Sequence, residues 1–209
     1  MAEEKMKAIE SKMAEKKENE KYWVEKMQKE VAIPEKVEAK IDGKTVVVKG
    51  PKGEIQKDFN NPAFNRDIEI TQADGKVIIK TDSDKKKALA MTGTIAAHLR
   101  NMVTGVTDGY SYELKVIYTH FPITITEKDK MIEVKNFLGE KGTRKTKVVG
   151  NCKVYIDKDV IKVEGVDVEE IGQTAANIER ACKLKGRDRR IFQDGIFLSA
   201  RKLQSGKEI

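Results

Sequence analysis

Residues 160–197 read VIKVEGVDVEEIGQTAANIERACKLKGRDRRIFQDGIF, and the rest of the chain is organised around this plan. Val160, Ile161 and Val163 form a short β-branched run that Gly165 closes, which predicts a strand followed by a turn. Asp167 is placed to cap a helix, with Glu169 and Glu170 in the first turn, where the positive end of the helix dipole favours carboxylates. Ile171, Ala175, Ile178 and Cys182 recur at spacings of four, three and four, so one face of that helix is apolar. Its last turn and exit are cationic, through Arg180, Lys183, Lys185, Arg187, Arg189 and Arg190, with Asp188 and Asp194 interrupting the run. A helix backed by an apolar face and delivering cations is what holding a phosphate backbone requires.

The same plan occurs upstream. TVVVKGPKGE at 45–54 and MIEVKNFLGE at 131–140 are both apolar strands that run into Lys, a turn and Gly-Glu. Val77-Ile78-Ile79-Lys80 precedes a helical stretch containing Thr94 to Leu99, as Val160 to Val163 precedes one containing Gln173 to Ile178. The copies lie roughly 80 to 90 residues apart, too long a period for a solenoid and suited to a duplicated small domain.

In chain order, residues 1–32 are rich in Lys, Glu, Ala and Met, without Gly or Pro, and predict a helical extension. From residue 33 the period changes to two. Val37 to Ile41 alternate, Asp42-Gly43 marks a hairpin, and Thr45 to Val48 returns as a strand. Ile68 with Ile70 and Val77 to Ile79 supply further strands, and Asp82, Ser83 or Asp84 would cap a helix ending near Gly105. Tyr112 to Tyr118 and Phe121 to Ile125 alternate beyond the joint at Thr107-Asp108-Gly109. The fold class expected is α+β: two similar tandem domains, each an antiparallel sheet covered by a helix, plus the N-terminal helical extension. The domains are placed at 33–108 and 109–200, with a basic tail at 201–209.

Charge is unevenly spread. The 209-residue chain carries a formal net charge of +7, yet residues 1–30 hold eight Lys against eight Glu. Residues 135–153 hold six basic side chains against Glu140 alone, and residues 183–209 hold eight against Asp188, Asp194 and Glu208. The excess sits in the second half, where it favours a polyanionic partner. Cys152 and Cys182 stand far apart without a CxxC or Cys/His cluster, so a disulfide framework and a metal site are not expected, and both read as buried reduced thiols. No GxxxxGK[ST] or GxSxG motif occurs, and His98 and His120 are isolated. The reading is a non-enzyme without cofactors. No apolar run is long enough to span a membrane and the N-terminus lacks a signal-peptide pattern, which gives an intracellular, cytoplasmic expectation.

Two basic elements stand out in the second domain. One is KGTRKTK at 141–147, read as a flexible cationic loop between strands; the other is Lys183 to Arg190. Only Phe137 and Phe192 lie among these charges, so backbone and shape recognition of folded RNA fits better than single-strand stacking.

The residues then match a known family. VKGPKG at 48–53, NMVTGVTDG at 101–109, FPI at 121–123, NFLGEK at 136–141 and DRRIFQDGIF at 188–197 occur in family order. Across roughly Val31 to Leu198 the chain resembles the large-subunit ribosomal protein family called L-six in bacteria and L-nine in eukaryotes, in its archaeal/eukaryotic branch. The resemblance implies a structural constituent of the large ribosomal subunit that binds 23S-type rRNA mainly through its C-terminal domain. It would lie near the sarcin–ricin loop and the stalk base, with translational GTPases docking nearby and other ribosomal proteins as neighbours. On this basis Lys141, Arg144, Lys145 and Lys147 would hold one RNA segment, and Lys183, Lys185, Arg187, Arg189 and Arg190 another. Asp188 or Asp194 would position neighbouring guanidiniums. Residues 1–30 depart from the family pattern and are expected to lie along a neighbouring protein or in solvent. The alternative from the residues alone is a free RNA-binding or regulatory module outside the ribosome.

Overall fold

The structure, a computed structural model, describes residues 27–60, 67–73, 75–83 and 85–208. The expected N-terminal helix lies, up to residue 26, outside the described residues. What is described falls into two compact units: residues up to Lys49 with Gln56–Val103, and Gly50–Ile55 with the chain from Thr104 onward.

The first half of the chain supplies β1 (Gln28–Ala32), β2 (Glu38–Asp42), β3 (Thr45–Gly50), β4 (Gly53–Asp58), β5 (Ile68–Ala73), β6 (Lys76–Thr81) and helix α1 (Lys86–Thr107). Strand order is β1-β6-β5 in one sheet and β2-β3-β4 in another. Ala88, Thr92, Ile95, Ala96, Leu99 and Met102 form the buried face of α1, and Val46, Val48, Val77 and Ile79 are buried in the strands. The helix opens one position later than the expected cap. Leu89 N donates to Lys85 O at 3.1 Å, while the Ser83 hydroxyl takes the Lys85 amide only at 3.5 Å.

The second half supplies β7 (Tyr110–Ile117), β8 (Thr124–Lys128), β9 (Met131–Lys135), a 3₁₀ turn (Phe137–Gly139), β10 (Arg144–Lys147), β11 (Lys153–Asp157), β12 (Val160–Gly165), helix α2 (Val168–Ala181) and β13 (Gly195–Leu203). Here the sheet orders are β10-β9-β8 and β11-β12-β7-β13. Without β13, the second order is β7-β12-β11, the same connectivity as β1-β6-β5. The small sheets β2-β3-β4 and β8-β9-β10 correspond likewise. The core gathers Leu114, Ile132, Val134, Phe137, Ile161, Val163, Ile171 and Ile178, all at 1% exposure or less. Each such side chain contributes about 1.5–3 kcal/mol of transfer free energy.

Four expectations are corrected. Residues 28–32, assigned to the helical extension, are a strand antiparallel to β6, with Val31 opposite Val77 and buried, because an available sheet edge overrides a weak helix preference. Each half of the chain carries two sheets rather than one. The cationic loop is half strand: Arg144 to Lys147 pair with Val134 to Met131. Finally, the start of the basic tail is not free. Arg201 to Leu203 continue β13 along β7, and Lys202 reaches Glu113 at 3.1 Å.

Gly105 shows why the shared NMVTGVTDG stretch needs its glycine. A Cβ there would fall on the Val166 carbonyl oxygen. The GPKG turn serves packing rather than phosphate. Lys52 donates its backbone N–H to Val106 O and its ammonium to Gln204 Oε1, both at 3.0 Å.

Candidate nucleic-acid interface

Alternation along β10 sorts the first basic element into two faces. Arg144 and Thr146 are half-buried; Lys145 and Lys147 are exposed on the opposite face. Lys145 sits directly across from Glu133 in the ladder and pairs with it at 2.8 Å, a surface ion pair of small worth. Hydrogen bonding from Lys145 is the leading reason the Glu133 carboxyl is held below its ordinary value. Lys141, between the 3₁₀ turn and β10, is exposed.

Arg144 turns inward and does something else. Its Nε and Nη2 grip both oxygens of Glu140, at 2.9 and 2.7 Å, and its Nη1 donates to Ala181 O at 2.9 Å and Lys183 O at 3.1 Å. Ala181 O is left without a helical partner at the end of α2, and Lys183 O lies two residues beyond it. The guanidinium also lies 4.3 Å over the Phe137 ring. Four of its five N–H donors are thus engaged within the protein. The hydrogen bond from Arg144 is the main cause that lowers the Glu140 pKa, and Arg187 adds to it. One arginine therefore ties the β10 element to the 183–190 segment.

The second element leaves α2 as its sequence dictates. Asp167 caps the helix, its Oδ1 accepting the Glu169 amide at 2.8 Å, and Ile171, Ala175, Ile178 and Cys182 are buried as the spacing requires. Lys183, Lys185, Arg187, Arg189 and Arg190 are all exposed. The two aspartates do not position guanidiniums, as was expected of them. Asp188 Oδ1 accepts the Arg190 amide at 2.9 Å, and its carbonyl accepts Phe192 N at 3.0 Å, which folds the segment into a turn. Asp194 is buried and accepts the Thr119 amide at 2.9 Å. Glu179 likewise accepts the Leu198 amide at 2.7 Å. These acids are hydrogen-bonded within the protein, while the bases extend into water.

Burial raises both thiols, Cys152 and Cys182, to about 11, so they are neutral apolar fillers. Beside the basic segment lies a groove of about 600 Å³, with Ile117, Leu184, Phe192, Phe197, Arg180 and Arg189 among its lining. Sequence reasoning missed Ile117 and Phe197 as site residues, because β7 and β13 bring them there from opposite ends of the second unit. Alternation along β13, which throws Phe197 to the face opposite buried Ile196, is the signal that could have found it.

A protein-family model described as ribosomal protein L6 matches residues 33–109 and 122–195. The chain is 50% identical over 170 residues to the large ribosomal subunit protein uL6 of Desulfurococcus amylolyticus, covering 80% of this chain and 91% of that one. It is 47% identical to the uL6 of Methanothrix thermoacetophila, covering 84% and 97%, and 44% identical to that of Methanobrevibacter smithii, covering 82% and 94%.

Proposed function

The chain belongs to the ribosomal protein L6 family, and from that membership we propose that it is a non-enzymatic structural constituent of the large ribosomal subunit in the cytoplasm, holding 23S-type rRNA. The observation that carries the RNA reading is the sorting of charge in the second unit. Glu140, Glu179, Asp188 and Asp194 are hydrogen-bonded within the protein, while Lys141, Lys147, Lys183, Lys185, Arg187, Arg189 and Arg190 face solvent. Such a face binds phosphate oxygens through counterion release and positions the protein without reading sequence. Lys145 joins it once its weak pair with Glu133 opens. Arg144 serves by holding the two elements together. The rRNA-binding part is residues 109–200, extended by the ordered start of the former tail. The same reading puts the protein near the sarcin–ricin loop and stalk base, within reach of docking translational GTPases, with residues 1–30 along a neighbouring ribosomal protein or in solvent.

Sedimentation of native lysate through a sucrose gradient, with a high-salt wash, tests this. The protein should stay in the large-subunit peak. Its presence only at the top of the gradient would refute the ribosomal assignment and leave a free RNA-binding module.

A further inference from the structure

We propose that the groove beside the basic segment receives one unstacked nucleotide of the bound RNA, its base against the apolar side chains and its phosphate at the cations, an inference that rests on the rRNA-binding reading above. Its lining includes the apolar side chains Ile117, Leu184, Phe192 and Phe197 and the cations Arg180, Lys183 and Arg189. A volume of about 600 Å³ is ample for a single base with its sugar.

Charge complementarity selects the occupant. The lining also holds two carboxylates, Glu179 and Asp194, which the three cations outnumber. Both are engaged by backbone amides, of Leu198 at 2.7 Å and Thr119 at 2.9 Å. Among the described residues, the side chains of Arg180, Lys183 and Arg189 make no hydrogen bond or ion pair. The groove thus joins an apolar lining to unpaired cations, matching a ligand that carries both a flat apolar part and an anionic one.

The aromatic geometry agrees. Arg187 lies 4.9 Å over the Phe192 ring, and guanidinium planes and aromatic faces are the surfaces on which splayed-out bases stack. Phe197 lies against Gly195, where a Cβ would stand 3.0 Å from the ring, so the glycine leaves room for this close approach. Ile117 and Phe197 remain 41% and 36% exposed, and neighbouring Ile191 is 75% exposed, leaving apolar area for a base to cover. A paired base in a duplex cannot reach such a groove, so the nucleotide comes from a loop, bulge or strand end.

The test is zero-length ultraviolet crosslinking of the full chain to deproteinised large-subunit rRNA, mapped by peptide mass spectrometry, with affinities measured across salt concentrations. Crosslinks should fall on Phe192 or Phe197. The double variant Phe192→Leu, Phe197→Leu should lose roughly 5- to 150-fold in affinity, the range of one base–aromatic stack. Its salt slope should stay unchanged, because that slope counts phosphates. Arg189→Gln, at an exposed side chain, should instead reduce the slope by about one. Wild-type affinity in the double variant, with crosslinks confined to other peptides, would overturn the proposal and leave the rRNA reading standing. So would a protein, rather than RNA, crosslinked to these residues in the intact subunit. No rRNA binding by the wild-type chain would remove both. The wild-type crosslinks require no substitution, so they decide the matter even if the variant misfolds.

Discussion

Replacing Arg144 by alanine should loosen the junction between β10 and the basic segment by about 2–3 kcal/mol. The pair with Glu140 is bidentate, but the side chains are 24% and 44% exposed, so solvent screening limits it to about 0.5–1 kcal/mol. The bonds to Ala181 O and Lys183 O add about 1 kcal/mol together, because their loss leaves carbonyls that water reaches. The stack on Phe137 adds about 0.5–1 kcal/mol. Arg144→Lys keeps the charge at the helix end but not the fork, and should recover about 1 kcal/mol of the loss. Because two units need not unfold together, the effect is best read locally, by hydrogen exchange of peptides spanning 144–147 and 183–192, with the urea midpoint as a second measure. Both peptides should exchange about 30- to 150-fold faster in Arg144→Ala, the equivalent of that free energy. The salt slope of rRNA binding should stay at the wild-type value. Unchanged exchange together with a slope reduced by about one would show that Arg144 is a phosphate ligand and that the latch reasoning is wrong.

Gly105→Ala gains about 1 kcal/mol of helix propensity but drives a methyl onto the Val166 carbonyl oxygen; the urea midpoint should fall, by a net of about 1–3 kcal/mol. Gly93→Ala, in the same helix with open space around it, should stabilise by up to about 1 kcal/mol. Glu140 is held below the ordinary carboxylate value of 4.5 by its hydrogen bonds from Arg144, so its contribution is complete above pH 4.5 and is lost as pH falls through the lowered value. Exchange of residues 183–192 should therefore accelerate only in acid, and Glu140→Gln should abolish that step. Cys152 and Cys182, raised by burial to about 11, should resist alkylation at neutral pH until urea unfolds the second unit. Lys147→Gln and Arg190→Gln should each reduce the salt slope of rRNA binding by about one while leaving thermal stability unchanged.

Much of the second unit was legible from residue pattern. The strand at Val160, the Asp167 cap and the apolar stripe of α2 depend on neighbours within a few positions, and local sequence encodes such relations directly. The five motifs gave the family, which the matches over residues 33–109 and 122–195 bear out. Where reading along the chain failed, the deciding partner was distant. Residues 28–32 have good helix formers, yet β6, some fifty residues on, supplies an edge that makes them a strand. Arg201 to Leu203 read as the start of a basic tail until β7 pairs with them.

The sequence by itself determined the apolar periodicities, the duplicated plan and the location of the positive charge, because these are properties of spacing and composition. Only the tertiary structure decided which charges face water. Glu140 and Arg144 are four residues apart, but their grip gains its role from carbonyls at 181 and 183, and Asp194 is buried against an amide 75 positions away. Hydrogen bonds are short-ranged and directional, so their partners are fixed by three-dimensional approach, and no one-dimensional pattern records them.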